Sequence, residues 1–466
     1  MIAIVGAGAS GALTAAQIGL QATVPCKVVL FDPADHLGRG LAYGTRDLTH
    51  LLNVPAGKIS ALPDQPAHFL EWLNRPGNVV SLLHEARFEP GDFVPRAIYG
   101  FYLATLVDEV YSHPECRAAL EVRVSRAVDF IPTARGGTIV TSDGDTEDVS
   151  HVVLALGNLP PRDPLPGRHP FFRSPRYVPL VWKRGAMETD PSDDVLLIGT
   201  GLTAVDVILA LEAAGHRGKY FVTSRGGRWP QPHGPAKPHR DFLGDRALPR
   251  SIREATRLVR GEIASADANG SNWRTVIDAM RPHTQDLWKN LPLGERRRFL
   301  RHARPFWESH RHRMPPSAWA VLERLRGEGR LEMIPGRLQD FVEDESGVTA
   351  VLQLKRTRAA HELRARKVFN CIGPESNFRQ HFNDPLLINL LARGVLHPDP
   401  LFLGLEATEN FEPIGATGRI YEQISLIGPP LRGMLWETTA IPEIRVQAAQ
   451  VADHALRHHL HPAWEI

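Results

Sequence analysis

A glycine-rich turn close to the N-terminus is the feature that most constrains the fold of this chain. The β-type run Ile2–Val5 leads into residues 6–11, GAGASG, and a small-residue stretch that is compatible with a helix follows over 12–21. In such a unit the first glycine allows a tight turn, the second lets the backbone approach a pyrophosphate, and the third lets the helix pack on the strand. The helix N-terminus adds free N–H groups and a partial positive charge. The pattern predicts a Rossmann unit that binds a dinucleotide.

An acidic residue stands at the position where such a unit needs one. The next β-type run, Lys27–Phe31, leads to Asp32, which follows Gly11 by 21 residues. At about 20 residues beyond the glycines, an acidic side chain meets the ribose hydroxyls of an adenine dinucleotide. A carboxylate there repels a 2′-phosphate, so the first site favours a nucleotide with a free ribose. The residues expected to bind it are Gly6, Gly8, Ser10, Gly11 and Asp32.

A second copy of the fingerprint begins at Val195–Ile198. It continues into residues 199–204, GTGLTA, which fit the GxGxxA variant. Arg225 follows the end of this motif by 21 residues, at the position that Asp32 holds in the first copy. A planar guanidinium pairs with a 2′-phosphate, so this site favours NADP over NAD; the alternative is that Arg225 is a solvated surface residue. The residues expected to bind here are Gly199, Gly201, Thr203, Ser224 and Arg225.

Two series of short β-type pieces indicate that one plan is used twice. The first series covers 122–124, 127–131, 138–141 and 149–156, and the second covers 331–334, 338–342, 348–354 and 367–372. An excursion of strands that returns to a buried strand ending in glycine closes a nucleotide-binding domain. We therefore expect an α/β fold with two Rossmann-like dinucleotide-binding domains of the three-layer ββα type. The first domain would comprise 1–165 and 366–466, discontinuous around a second domain at 190–365.

Residues 241–330 interrupt the second domain with a different pattern. The periodicity is helical, arginine is frequent, and tryptophan and phenylalanine are spaced as buried anchors. We expect a helical insert. Its basic runs at 296–304 and 310–313 would bind an anionic substrate or the phosphates of the nicotinamide nucleotide, or else form solvated helix faces with ordinary ion pairs.

The composition excludes several other classes of protein. The 466 residues carry 54 Lys plus Arg against 52 Asp plus Glu, a net charge of +2, which is not the balance of a dedicated nucleic-acid binder. The three cysteines are far apart, so a disulfide framework, a zinc cluster and a redox dithiol all lack their residues. No apolar run of 18 residues appears, and no histidine pair has HExxH spacing. We expect a cytosolic protein without a metal ion, and without a membrane or nucleic-acid partner.

Five further motifs give the chain a family resemblance. They are Leu51-Leu-Asn-Val-Pro55, Phe93-Val-Pro-Arg96-Ala-Ile-Tyr99, Leu154-Ala-Leu-Gly-Asn158, Phe369-Asn-Cys-Ile-Gly-Pro374 and Gly433-Met-Leu-Trp-Glu-Thr-Thr439. Together with the paired fingerprints, they resemble bacterial FAD/NAD(P)-binding proteins. That group is similar to the class B flavin monooxygenases, which include N-hydroxylases of amines and amino acids and the Baeyer–Villiger enzymes. The resemblance covers nearly the whole chain and implies FAD in the first domain and NADPH in the second.

The resemblance also implies further cofactor contacts. Arg39 and the Asn53-Val54 turn would lie along the flavin, and Gly157 would close the nucleotide site. Near the C-terminus, related flavoproteins present a Gly-Asp pair to the ribityl chain, but here Pro429 replaces the aspartate. Residues 436–440 would open a helix towards the flavin pyrimidine edge. The additional implied contacts are Arg39, Asn53, Val54, Gly157, Gly428, Trp436 and Thr438.

The activity that the resemblance implies is oxygenation of a small molecule. The Baeyer–Villiger signature ahead of the second fingerprint is not matched, because Phe171–Trp182 keeps the aromatic ends but contains no histidine. The implied protein is a FAD-dependent, NADPH-consuming monooxygenase that uses dioxygen to N-hydroxylate a small polar or anionic metabolite through a flavin hydroperoxide. Two alternatives stay open: an NADPH-dependent reductase or dehydrogenase without oxygen insertion, and a non-catalytic nucleotide-binding redox sensor.

Overall fold

The computed structural model describes residues 1–78, 80, 87–244, 246–378 and 384–460, which form both strands and helices. The strands are β1 (Ile2–Val5), β2 (Cys26–Asp32), β3 (Ala118–Val124), β4 (Ala127–Thr133), β5 (Gly136–Thr141), β6 (Thr146–Val149), β7 (His151–Leu154), β8 (Tyr177–Val178), β9 (Val195–Ile198), β10 (Tyr220–Ser224), β11 (Leu331–Asp344), β12 (Gly347–Leu354), β13 (Ala360–Ala365), β14 (Lys367–Asn370) and β15 (Ile424–Leu426). The α-helices are α1 (Ala9–Gln21), α2 (Gly40–Tyr43), α3 (His68–Leu73), α4 (Arg96–Tyr111), α5 (Leu202–Ala213), α6 (Ile252–Ala268), α7 (Trp273–Ala279), α8 (Thr284–Asn290), α9 (Leu293–Arg298), α10 (Arg304–Arg311), α11 (Pro316–Gly327), α12 (Pro385–Ala392), α13 (Arg432–Leu435) and α14 (Ile441–Leu460).

The chain divides into two compact units. The first comprises Met1–Leu48, Val54–Leu159 and Ser376–Ile466, and the second comprises Thr49–Asn53 and Pro160–Glu375. The expected return to the first domain at residue 366 comes too early, because β14 is part of the sheet of the second unit. None of the described helices is long and apolar enough to cross a membrane.

A parallel sheet in the order β15-β7-β1-β2-β3 forms the centre of the first unit. β1 pairs with β2 on one side and with β7 on the other, and every residue of β1 and of β7 is buried. A parallel strand that is covered on both faces needs a continuous apolar run, which the sequence supplies at Ile2–Val5. Helix α1 contacts both α4 and α14. The strands β4, β5 and β6 form a separate antiparallel sheet.

The second unit contains one seven-stranded sheet in the order β13-β12-β11-β10-β9-β14-β8. The neighbours from β10 to β8 are parallel. β11 begins parallel to β10 and continues antiparallel to β12, so a single strand joins the two parts of the sheet. Both units therefore place a glycine turn and a helix directly after a central parallel strand. The predicted α/β class with two Rossmann-like folds is confirmed.

Helices α6 to α11 stand between β10 and β11, within the stretch predicted as an insert. Between α9 and α10, Phe299–Ala303 form a π-helical turn, and Pro305 follows in the first turn of α10. Proline lacks an N–H and its ring clashes with the carbonyl of the preceding turn, so the wider turn lets the chain pass the proline. Arg298 pairs with Glu295 and Arg304 with Glu308, as expected of solvated helix faces.

Histidines cluster in the first unit where α14 packs against β7. His151 on β7 is fully buried, and its Nε2 lies 2.9 Å from the Ser425 hydroxyl. The rings of His454 and His458 on α14 each lie 5.4 Å from the His151 ring. Burial, together with the charges of these two neighbours, holds the pKa of His151 well below its usual value. His151 is therefore neutral in the folded protein at pH values that protonate it in the unfolded chain.

We expect the protein to lose stability as the pH falls below about 6.5. The unfolded chain then binds a proton that folded His151 does not, so the free energy of unfolding drops by up to about 1.4 kcal/mol per pH unit for this group. His151→Gln keeps a polar partner for Ser425 and removes the titration. Urea unfolding at about pH 7.5 and about pH 5.5 should show a loss that is smaller in the variant by about 1 kcal/mol. Equal losses in the two proteins would contradict this account.

Two candidate nucleotide-binding sites

The glycine turn after β1 excludes any side chain at two of its positions. Gly6 has a φ of +105°, and a Cβ there would lie 2.4 Å from the Ala155 carbonyl oxygen. A Cβ on Gly11 would lie 1.9 Å from the Gly6 carbonyl oxygen. Both clashes are with backbone atoms, which have no freedom to move aside. The turn is therefore closed tightly between β1, the end of β7 and α1, as the spacing of the glycines predicts.

The N-terminus of α1 offers backbone donors to an anion. Gly8 is its N-cap residue, no side chain caps the helix, and no acidic residue lies in its first turn. Ser10, one of the residues expected to bind the nucleotide, lies in that turn and is 6% exposed. A helix N-terminus of this kind carries a partial positive charge and free N–H groups, which suit a phosphate or pyrophosphate.

Asp32 holds the glycine turn to the end of β2. One carboxylate oxygen accepts a hydrogen bond from the Ala7 N–H at 2.8 Å, and the other accepts one from the Ala34 N–H at 3.0 Å. Each carboxylate oxygen has a second lone pair. Asp32 therefore fixes the turn and keeps the capacity to accept hydrogen bonds from ribose hydroxyls.

Arg39 and Gly157 lie near the same turn. Arg39 immediately precedes α2 and is exposed, and its guanidinium has no hydrogen-bond or ion-pair partner among the described residues. The helix begins in close contact with the turn, since a Cβ on Gly40 would lie 2.9 Å from the Gly8 Cα. Gly157 follows β7 with a φ of +64°, which favours glycine. Cofactor contacts of Arg39 and Gly157 stay predictions.

Asn53 and Val54 are consecutive residues that belong to different compact units. Val54 belongs to the first unit and Asn53 to the second. Within the second unit, the Asn53 carbonyl accepts a hydrogen bond from His233 Nε2 at 3.0 Å. That the two residues lie along a flavin stays a prediction.

A buried polar network holds Gly428, which follows β15. The Gly428 N–H donates to Gln447 Oε1 at 3.0 Å, and the Thr438 hydroxyl donates to the Gly428 carbonyl at 3.1 Å. Gln447 Nε2 donates in turn to the Thr438 hydroxyl at 2.7 Å. Thr438 is completely buried. The Thr438 side chain positions Gly428, and a cofactor contact of Thr438 stays a prediction.

Trp436 adopts a strained backbone conformation just after α13. Its φ is +62° and its ψ is −67°, and the Glu437 N–H donates to the Leu435 carbonyl at 2.8 Å across it. An L-residue enters this γ-turn at a cost of about 1–3 kcal/mol. The Arg432 guanidinium lies over the indole, 4.7 Å from the ring centre. Such strain is typical of functional segments, and the contact of Trp436 with a cofactor stays a prediction.

The second glycine turn repeats the geometry of the first. Gly199 has a φ of +116°, and a Cβ there would lie 2.2 Å from the Cys371 carbonyl oxygen. Gly201 is the N-cap residue of α5, with no side-chain cap and no acidic residue in the first turn. Thr203 lies in that turn and is partly exposed. The second unit therefore also places an uncapped helix N-terminus at the end of a central parallel strand, and this geometry suits an anion.

Ser224 links the second turn to the end of β10. Its hydroxyl accepts hydrogen bonds from Thr200 Oγ1 at 3.1 Å and from the Gly227 N–H at 3.0 Å. A hydroxyl has two acceptor positions and one proton, so only the proton is left for a ligand. Ser224 shapes the turn, and its contact with a nucleotide stays a prediction.

Two arginines follow β10. Arg225 is exposed and forms no hydrogen bond or ion pair with any residue that the structure describes. Arg228, which the sequence reasoning missed, lies over the ring of Phe306 at 4.1 Å from its centre. Phe306 is on α10 of the insert and is 51% exposed. The sequence signal was present in the run Arg225-Gly-Gly-Arg228, but the stacking partner is far away in the chain.

Two Rossmann-like units, each with a glycine turn that leads to an uncapped helix, give the chain the fold of proteins with two dinucleotide-binding units. Residues 3–159 match a family model described as FAD-NAD(P)-binding. No curated protein sequence matches the chain. Among the described residues, no group of histidine, cysteine or acidic side chains is placed to hold a metal ion.

Solved structures with the same fold include several amine monooxygenases. The chain is similar to the ornithine N-hydroxylase of Kutzneria sp. 744, with a TM-score of 0.64 at 12% identity over 98% of this chain and 99% of that chain. For the L-lysine 6-monooxygenase of Pseudomonas syringae, the TM-score is 0.63 at 15% identity over 98% and 99%. For the cadaverine monooxygenase of Erwinia amylovora, it is 0.63 at 12% identity over 97% and 94%. The resemblance to class B flavin monooxygenases is confirmed at the level of the fold.

Proposed function

We propose that this protein is a FAD-dependent, NADPH-consuming monooxygenase that N-hydroxylates a small polar metabolite with an amino group. The observation that carries the proposal is the opposite charge behind two equivalent glycine turns, Asp32 at the first and Arg225 at the second. The amine substrate is supported by the solved structures of similar fold, whose names specify ornithine, lysine and cadaverine.

The first turn fits the pyrophosphate and adenosine ribose of FAD. The close packing at Gly6 and Gly11 leaves backbone at the surface of the turn, and α1 begins without an acidic side chain. The N-terminus of α1, with Gly8 and Ser10, would hold the pyrophosphate, and Asp32 would accept hydrogen bonds from the ribose.

The second turn fits the corresponding part of NADPH. Gly199, Gly201 and Thr203 would hold the pyrophosphate at the N-terminus of α5. Arg225 would pair with the 2′-phosphate, because its guanidinium is exposed and has no partner among the described residues. Arg228 places a second guanidinium on the same loop, held against Phe306. Two cations at this position favour a phosphorylated ribose over a free one.

The protein's own contribution to the reaction is binding and orientation. When bound, NADPH supplies a hydride and FAD supplies the activation of dioxygen. The two helix N-termini offset the charge of the pyrophosphates, and Asp32 and Arg225 select the two nucleotides. Within the first unit, the Gly428–Thr438–Gln447 network fixes the segment that leads into α14. All three cysteines are free, which supports a reducing, cytosolic location.

The proposal is tested by assaying the purified yellow protein with NADPH and isotopically labelled dioxygen. Ornithine, lysine and cadaverine serve as probe amines. We expect an amine to stimulate NADPH oxidation and to appear as a hydroxylamine that carries the label. Stimulated oxidation of NADPH with no label in the product would overturn the proposal in favour of a reductase. A protein that retains no FAD, or whose FAD is not reduced by NADPH, would overturn it in favour of a redox sensor.

We expect Arg225→Ala to raise the KM for NADPH by about 10- to 100-fold, because a hydrogen bond to a charged group contributes about 1.5–3 kcal/mol. The KM for NADH should change by less than about twofold, since NADH has no 2′-phosphate. Steady-state oxidation of both nucleotides measures the difference. Arg356→Ala, at an exposed position between β12 and β13, is the matched control and should change neither value. An equal rise for both nucleotides would assign Arg225 a structural role.

A further inference from the structure

We propose that a polar groove in the second unit binds a small oxyanion, a carboxylate or a phosphate, at a site separate from the glycine turn. The groove has a volume of about 460 Å³, which is enough for a small metabolite. The lining residues that carry charge or a hydroxyl are Arg176, Thr189, Asp193, Glu343, Arg366 and Lys367.

The groove lies at the amino ends of the parallel strands. Arg176 immediately precedes β8, Asp193 lies two residues before β9, and Lys367 is the first residue of β14. The glycine turn follows the carboxyl end of β9 at Gly199. Four residues of strand span roughly 13 Å at about 3.3 Å per residue. A ligand in the groove therefore lies at the amino ends of the strands, whereas the nucleotide would lie at their carboxyl ends. The two ligands do not compete for the same residues.

The charges that line the groove leave an excess of one cation. Arg176 Nε lies 3.3 Å from the Glu343 carboxylate, and Arg366 Nε lies 3.4 Å from the Asp193 carboxylate. Lys367 forms no close ion pair among the described residues; its ammonium donates to the Glu188 carbonyl, and the Glu188 and Asp193 carboxylates attract it from farther away. Burial lowers the pKa of the Lys367 ammonium, and this effect outweighs the attraction of the two carboxylates. An anion in the groove would supply the missing charge.

Both guanidinium groups keep donors for such an anion. Besides its carboxylate, Arg176 donates from Nη2 to the Glu345 carbonyl at 2.8 Å, which leaves Nη1 without a partner among the described residues. Arg366 donates from Nη1 to the Ser346 carbonyl, and its Nη2 likewise has no partner among the described residues. These backbone bonds fix the two side chains in place, so less conformational entropy is lost when they bind a ligand. Two guanidinium donors and an ammonium suit an oxyanion with at least two oxygens.

The test is calorimetric titration of the full-length protein with inorganic phosphate and, separately, with succinate, at constant ionic strength. We expect a Kd below about 10 mM for at least one of them. The stronger of the two identifies whether the site prefers a phosphate or a carboxylate. Lys367→Met keeps the apolar stem and should weaken binding at least about 10-fold, as should Arg366→Gln. Arg356→Ala, at an exposed position that does not line the groove, is the matched control and should bind the anion as the unchanged protein does.

Two results would overturn the proposal. One is the absence of binding by both anions below about 10 mM in the unchanged protein. The other is binding that Lys367→Met leaves intact and Arg225→Ala abolishes, which would place the anion at the nucleotide site. Thermal melting of each variant shows whether it is folded. If Lys367→Met is not folded, Arg366→Gln gives the same decision, because Arg366 is half exposed. Neither result depends on whether the protein oxygenates an amine.

Discussion

Replacing Gly11 by alanine is expected to destabilise the first unit by at least about 3 kcal/mol, the upper end of what overpacking costs. The added Cβ would lie 1.9 Å from the Gly6 carbonyl oxygen and 3.3 Å from Ile4 Cγ2. The first of these atoms is backbone in a turn that is already fixed by the hydrogen bond from Gly6 N–H to the Phe31 carbonyl at 2.8 Å. Relief would require α1 to move away from β1, which removes buried contacts along the helix. Thermal and urea unfolding of the purified variant measure the loss.

Gly261→Ala is the matched control for this substitution. Gly261 also lies inside a helix, α6, but no atom of the described residues lies within 4 Å of a Cβ there. Alanine is favoured over glycine in a helix interior by about 1 kcal/mol, so the control should be slightly more stable than the unchanged protein. If Gly11→Ala unfolded at the same urea concentration as the unchanged protein, the close packing at Gly11 would not be required by the fold.

The two glycine turns were predictable from sequence because each requires glycine for a local steric reason. At Gly6, Gly11 and Gly199 a Cβ would meet a backbone atom at less than 2.5 Å, so a strand, turn and helix in this order leave only glycine at these positions. The buried strands that precede the turns are equally local, since a parallel strand covered on both faces must be apolar throughout. Pattern and structure therefore agree where the constraint lies within about thirty residues of chain.

The strands of the antiparallel part of the second unit were harder to predict. The pieces 331–334 and 338–342 are one strand, β11, although Pro335 and Gly336 interrupt the pattern. The proline pairs with Ser224 at the end of β10, where β11 exchanges its parallel partner for an antiparallel one. β13 was not predicted, because half of its residues are exposed, two of them charged, and its pairing is provided by β12.

Roles that depend on distant residues were also beyond the sequence. β14 belongs to the second unit because it pairs with β9 and β8. The second unit therefore ends at Glu375 and not at residue 365, as the sequence pattern predicts. Composition and spacing carry no information about either contact. Tertiary pairing decides them.

Gly8→Asp is expected to remove FAD while leaving the protein without cofactor as stable as before, or slightly more stable. Gly8 has a φ of −66° and a Cβ there would meet only the Gly40 Cα, at 3.6 Å, so a side chain fits. Aspartate is a better N-cap residue than glycine by a few tenths of a kcal/mol, roughly. The same carboxylate would stand where the proposed pyrophosphate binds. Like charges in contact cost several kcal/mol, which corresponds to a loss of FAD affinity of about 100-fold or more.

The matched control, Gly201→Asp, places the same charge at the N-cap of α5 in the second unit. No described atom lies within 4 Å of a Cβ at Gly201, so the substitution also fits. It should keep FAD at the level of the unchanged protein and raise the KM for NADPH by about 100-fold, because the repelled pyrophosphate is now that of NADPH. The FAD absorbance of each purified variant measures the FAD that it retains, its urea unfolding measures its stability, and steady-state oxidation of NADPH measures the KM. If Gly8→Asp kept its full FAD content, α1 would not be the pyrophosphate site; if both variants lost FAD equally, the assignment of one nucleotide to each unit would be wrong.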